Sequence, residues 1–169
     1  LATQNIDLYP PDLQQQIDET IDKIYLPINI GVYRAGFATS QTAYEAAVTE
    51  LFESFDRWEN MLSQQRYLCG DKLTEADLCM FVTLYRFDSV YHGLFKCNLR
   101  RIIDYPNLWN YLKDLYQRPE FKATCNFDHI KRGYYTSMTD LNPNRIVPKG
   151  PIVNFDERHD RDRQETKTK

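Results

Sequence analysis

The sequence predicts an all-α domain, and three observations predict it. Apolar residues recur at steps of three and four along most of the chain, and no strand-length stretch alternates apolar with polar. Prolines or small polar caps stand at the starts of these runs: Pro10-Pro11-Asp12, Thr39-Ser40, Thr74, Tyr105-Pro106-Asn107 and Asn126. One segment, Ala76 to Phe87, is apolar nearly all round, which suits a helix in the middle of a core.

The first helix opens at Pro10-Pro11-Asp12, because proline in a first turn sacrifices no intrahelical N–H bond. Leu13, Ile17, Ile21, Ile24 and Ile28 then form one apolar face. Pro27 interrupts that face and should kink or weaken the last turn, and Gly31 is the expected stop. The stretch "NIGVYRAGFATSQ", Asn29 to Gln41, therefore reads as a connection in which Gly31 and Gly36 serve turns. Thr39 or Ser40 caps a second helix of about 24 residues whose inner face is Tyr44, Val48, Leu51, Phe55, Trp58 and Leu62.

After the Gly70-Asp71 turn, Thr74-Glu75-Ala76-Asp77 reads as a capping box, with the Asp77 carboxylate returning to the Thr74 N–H. A buried helix start cannot leave its first N–H groups to water, so losing Thr74 should cost on the order of 1 kcal/mol. Tyr105-Pro106-Asn107 starts the next helix, which turns Leu108, Trp109, Leu112, Leu115 and Tyr116 inward and ends at Pro119. A short segment runs through Phe121, and a last helix begins under Asn126 or Asp128. Residues 1–151 form the helical domain in this reading. Residues 152–169 are a charged tail expected to be disordered, since nearly every residue from Asp156 to Lys169 is charged or polar.

Composition narrows the function. The net charge of −3 comes with no basic stripe, which argues against nucleic acid as a main partner. No apolar run reaches the roughly 18 residues of a membrane span, and no basic start precedes an apolar stretch as in a secretory signal. The chain starts at Leu1 rather than Met, which reads as a fragment or processed product. Cys69, Cys79, Cys97 and Cys125 form no CxxC pair, so reduced thiols in a cytoplasmic compartment are expected, without a metal. Cys69 and Cys79 sit among apolar neighbours where thiols are inert, and Cys97, with Lys96, Arg100 and Arg101 nearby, is either partly activated or a surface bystander. Pairing His92 with Cys97, or His129 with Asp128, matches no zinc spacing. Tyrosines beside basic residues remain: Tyr33-Arg34, Tyr91-His92, and Tyr134-Tyr135 after Lys131-Arg132. A phenol joins a flat apolar body to a donor tip, so each is either an ordinary packed aromatic or a contact for an aromatic, oxygen-bearing ligand. The residues by themselves lead to a helical, ligand-handling domain.

The capping-box segment "YLCGDKLTEADL", followed by "YPNLWNYLKDLYQRPEF", resembles the C-terminal helical bundle of the cytosolic glutathione S-transferases. The blocks "DLYPPDL", "GVYRAGFATSQ", "RFDSVYHGLFKCNLRRIIDYPNLWNYLKDLYQ" and "NFDHIKRGYY…NPNRIVPKGP" resemble the glutathionyl-hydroquinone reductases, the Xi class, over roughly residues 5 to 151. The resemblance implies glutathione-dependent reduction of glutathionyl-hydroquinones, with glutathione bound mainly by an N-terminal thioredoxin-like domain. A cysteine of that domain attacks the glutathionyl sulfur, forms a mixed disulfide and releases the hydroquinone, and a second glutathione resolves the disulfide. The helical domain supplies the quinol pocket. Its family tyrosines fall at Tyr33, Tyr91 and Tyr134 as substrate-binding residues, with Tyr33 and Tyr134 also assisting catalysis by protonating the departing aromatic carbon. Family dimers pair largely through this domain, so a homodimer is also implied.

Two positions depart from the family pattern: Gly133 replaces the histidine of "IKRHYY", and Pro27 interrupts a helix the family continues. The thioredoxin-like domain and its cysteine are not in these residues, so the chain is expected to be catalytically incomplete alone. The rival reading is a non-catalytic glutathione-transferase-like protein-interaction module.

Overall fold

A computed structural model describes residues 6–167, in which every regular element is a helix. Helix α1 (Gln14–Ile24) runs into a wide π-helical turn, Tyr25–Asn29, and then into α2 (Gly31–Gly36). The long α3 is Gln41–Leu62, and the central α4 is Glu75–Arg86, which passes into a second π-helical turn, Phe87–Tyr91. A 3₁₀ turn, Ile102–Asp104, precedes α5 (Pro106–Tyr116), α6 (Pro119–Lys122) and α7 (Phe127–Ser137), and a second 3₁₀ segment, Arg161–Lys167, follows near the end of the chain. Helix α4 packs against α1, α5 and α7, and α3 packs against α2 and α5.

The caps follow the sequence. Ser40 Oγ accepts the Ala43 N–H at 3.2 Å, and Asn126 Oδ1 accepts the His129 N–H at 3.0 Å. Fully buried Asp77 does more than close a capping box. It accepts the Thr74 N–H at 2.8 Å, the Thr74 hydroxyl at 3.1 Å, the Leu68 N–H at 3.0 Å and the Tyr111 hydroxyl at 2.7 Å. One carboxylate thus ties the start of α4 to the preceding loop and to α5 in the dry interior.

Three expectations need correction. Gly31 is not a stop and Gly36 is not a turn residue, because both lie in α2, and the bend falls after Phe37. Pro27 lacks the N–H an α-turn would use, and the chain widens around it, so that the Ile30 N–H reaches the Tyr25 carbonyl at 2.8 Å and the helix continues. Gly36 is required by packing, since a Cβ there would stand 2.4 Å from Cγ of Phe95.

The second correction concerns α4, which is not buried all round. Val82 is 45% exposed, and Leu78 and Cys79 are half-buried. An apolar stripe of the central helix stays open because the neighbours cover only its other faces.

The third concerns the tail. Residues 152–164 lie along the domain, while residues 1–5 and 168–169 of the two expected spans fall outside the described residues. Phe155 enters an aromatic cluster with its ring centroid 5.0 Å from Tyr85 and 5.1 Å from Tyr116. Gln117 Nε2 donates to the Phe155 and Glu157 carbonyls at 2.8 and 2.7 Å. Arg161 is fully buried and donates to the carbonyls of Leu62, Gln65 and Arg66 at 2.8, 2.5 and 3.0 Å. Polar composition misleads here because a guanidinium can be buried when its N–H groups meet the orphan carbonyls at a helix end.

Candidate functional site

Tyr33 comes from α2, Tyr91 ends the second π-helical turn, and Tyr134 sits in α7. Their hydroxyls converge: Tyr33 to Tyr134 at 2.5 Å, Tyr91 to Tyr134 at 3.0 Å, and Tyr33 to Tyr91 at 3.4 Å. The rings meet edge to face, at 5.8 Å for Tyr33–Tyr91 and 5.7 Å for Tyr91–Tyr134. Phe95 lies beneath all three, with centroids 5.3 Å from Tyr33, 5.3 Å from Tyr91 and 6.2 Å from Tyr134. Gly36 admits that ring, so the glycine in the opening of "GFATSQ" serves the site through its floor.

The tyrosines line one wall of an open cleft of about 500 Å³, and α4 supplies the other with Cys79, Val82, Thr83 and Arg86. Asn29 pins the walls together, donating from Nδ2 to the Cys79 carbonyl at 2.8 Å and to Thr83 Oγ1 at 2.6 Å. A second cleft of about 460 Å³, lined by Leu73, Leu78, Phe81, Phe121 and Ile130 among others, shares Val82 and Arg86 with the first.

Burial drives the Tyr91 phenol far above its ordinary value, and its bonds to Tyr134 and Tyr33 push the same way. Tyr134 is raised by burial and by its bond to Tyr33, while Tyr91 and the Arg86 charge pull it down. Both remain protonated at neutral pH and can donate to an oxygen. Three phenols that satisfy one another in a ring need only a small rotation to offer one O–H to a ligand.

The cysteines read differently from the sequence. Cys97 is fully buried rather than on the surface, and burial pushes its thiol up to about 12. Lys96, Arg100 and Arg101 are exposed, and the two arginines pair with Asp56 and Asp104, so the activation their adjacency suggested is not seen at the buried thiol. Burial also raises Cys79 and Cys125, so these three stay thiols at neutral pH. Arg34, beside Tyr33 in sequence, is turned outward onto Glu50 at 2.6 Å. Gly133 lies within α7 facing open space, and neither it nor Pro27 prevents the three hydroxyls from meeting.

Asn29, Thr83 and Arg86 were not singled out from the sequence. A signal was present, because Cys79, Val82, Thr83 and Arg86 follow the i, i+3, i+4, i+7 spacing of a single helix face. It was hidden by the apolar character of the other faces.

A family model for the glutathione S-transferase C-terminal domain matches residues 41–114. The glutathionyl-hydroquinone reductase YqjG of Escherichia coli K12 is 52% identical over 156 residues, which cover 92% of this chain and 48% of that protein. The chain belongs to the glutathione S-transferases. Its likeness runs to the glutathionyl-hydroquinone reductases and the Xi class in particular. The reductase PcpF of Sphingobium chlorophenolicum is 48% identical over 145 residues, covering 86% of this chain and 46% of that one. A Xi-class transferase from Natrialba magadii superposes with a TM-score of 0.93 at 52% identity, over 96% of this chain and 50% of that one. The glutathione-bound YqjG structure gives 0.92 at 51% identity, over 94% and 52% respectively. The chain spans about half the length of the curated relatives it matches. Among the described residues no helix is long and apolar enough to cross a membrane.

Proposed function

We propose that this chain is the hydroquinone-binding helical domain of a glutathionyl-hydroquinone reductase. The convergence of the Tyr33, Tyr91 and Tyr134 hydroxyls on an open cleft carries the reading. In the proposed reaction a thiolate from a thioredoxin-like domain attacks the sulfur of the glutathionyl group. The aryl carbon–sulfur bond breaks, and its electron pair stays on the aryl carbon. Tyr33 or Tyr134 donates the proton that carbon takes up, while Tyr91 and the remaining hydroxyl hold the quinol oxygens. A second glutathione then releases the mixed disulfide as glutathione disulfide.

The raised thiols of Cys79, Cys97 and Cys125 support assigning the nucleophile elsewhere, so that residues 1–151 and the packed strap bind but do not turn over. The partners in this reading are glutathionylated hydroquinone, glutathione as co-substrate, the thioredoxin-like domain and, through the helical domain, a second copy, in the cytoplasm. The test is turnover of a glutathionyl-hydroquinone by the chain alone and by its fusion to a Xi-class thioredoxin-like domain. Activity in the fusion only is expected. Activity in the isolated chain overturns the division of labour.

The exposed Val82 and the apolar cleft beside it favour one alternative, a non-catalytic glutathione-transferase-like protein-interaction module. That reading requires an active-site fusion to remain inert and hydroquinone to leave the melting temperature unmoved.

A further inference from the structure

Among the described residues Arg86 lacks the carboxylate partner that five other arginines have. Arg34, Arg66, Arg100, Arg101 and Arg132 each meet a carboxylate within 3.1 Å. Arg86 is half-buried, and the one hydrogen bond of its guanidinium among the described residues is from Nη1 to the Val82 carbonyl, at 2.6 Å. A basic residue in the last turn of α4 suits the helix dipole, which accounts for that one contact. It leaves most of the five guanidinium donors for something else.

The position of Arg86 indicates what that is. It lines both clefts, at the point where they join. Among the described residues lining the tyrosine cleft it is the one formal charge. Glu75 acts on Cys79 from one turn earlier on α4, and Glu120 lines only the apolar cleft. The charge of Arg86 reaches Tyr134, whose phenol it pulls down against burial. A half-desolvated cation without a carboxylate favours an anionic partner, and a guanidinium fork fits a carboxylate through two parallel bonds.

We propose that Arg86 makes the tyrosine cleft selective for hydroquinones that carry an anionic ring substituent, a carboxylate in the simplest case. The phenols take the quinol oxygens, and Arg86 takes the substituent from the opposite wall. This rests on the quinol-binding reading and extends it to a substrate class.

The experiment is calorimetric titration of the full chain with hydroquinone and with its ring carboxylate, 2,5-dihydroxybenzoate, at low and moderate salt. The carboxylate is expected to bind about tenfold tighter or more, as a charge-assisted pair replaces water on both groups. That ratio should shrink as salt rises. Arg86→Gln should bring it toward one, and Arg86→Lys should keep part of it. Equal affinities in the wild type, or a ratio unchanged in Arg86→Gln, overturn the inference while the quinol reading stands. Binding of neither ligand by a chain with its normal melting transition overturns both.

Discussion

Replacing Tyr33 with phenylalanine separates a working hydroxyl from a packing ring. The ring stays, with its edge contacts to Phe95 and Tyr91, so little apolar burial is lost. The hydroxyl's bond to Tyr134 at 2.5 Å goes, but Tyr134 keeps its 3.0 Å partner in Tyr91, so no buried oxygen is orphaned. A lost hydrogen bond of this kind costs about 1 kcal/mol, or roughly 2–4 °C in the melting temperature of a chain this size. If the phenol serves as proton donor, its loss should lower turnover by about a hundredfold or more. The assay pairs steady-state turnover of a glutathionyl-hydroquinone by the fusion protein with a thermal melt of the same variant. Turnover within about twofold of wild type would refute the catalytic argument. So would a melt that falls as far as that of Phe55→Ala, a core truncation expected to cost about 3–5 kcal/mol, because Tyr33 would then be a structural residue.

Gly36→Ala should cost about 1–3 kcal/mol or more by pushing Phe95 out from beneath the tyrosines, and its turnover should fall further than its stability predicts; paired melts and kinetics check this. Arg161→Ala should cost about 2–4 kcal/mol, since it leaves carbonyls at the end of α3 unpaired, and limited proteolysis should then cut the 152–164 strap readily. Burial raises the Tyr91, Tyr111 and Tyr134 phenols above their ordinary 10.0. The folded state therefore holds protons that the unfolded chain releases above that pH. Stability from these groups is full below pH 10 and declines as pH rises through the folded values, which melts between pH 8 and 11 should record.

The all-α class and the start of most helices were legible in the sequence because they rest on local physics. The spacing of Leu51, Phe55, Trp58 and Leu62 makes a helix face wherever the chain is placed, and Ser40, Thr74 and Asn126 cap the residues that follow them directly. The three tyrosines could be nominated by resemblance, although nothing in their spacing brings Tyr33 within reach of Tyr134, 101 residues away. Their meeting depends on α2 continuing past Pro27 through a π-helical turn, and on Gly36 admitting Phe95.

What the sequence determined by itself was therefore most of the longer helices, the buried faces of α1, α3 and α5, and the caps, since neighbouring residues fix all three. Only the tertiary structure decided which face of α4 stayed open, that Arg86 stands at the junction of two clefts without a carboxylate partner among the described residues, and that Arg161 is buried. Each of those depends on what another part of the chain brings alongside: a helix that leaves Val82 uncovered, or carbonyls at the end of α3 that satisfy a guanidinium. Burial and pairing belong to the assembled fold, and charge or hydropathy along the chain does not encode them.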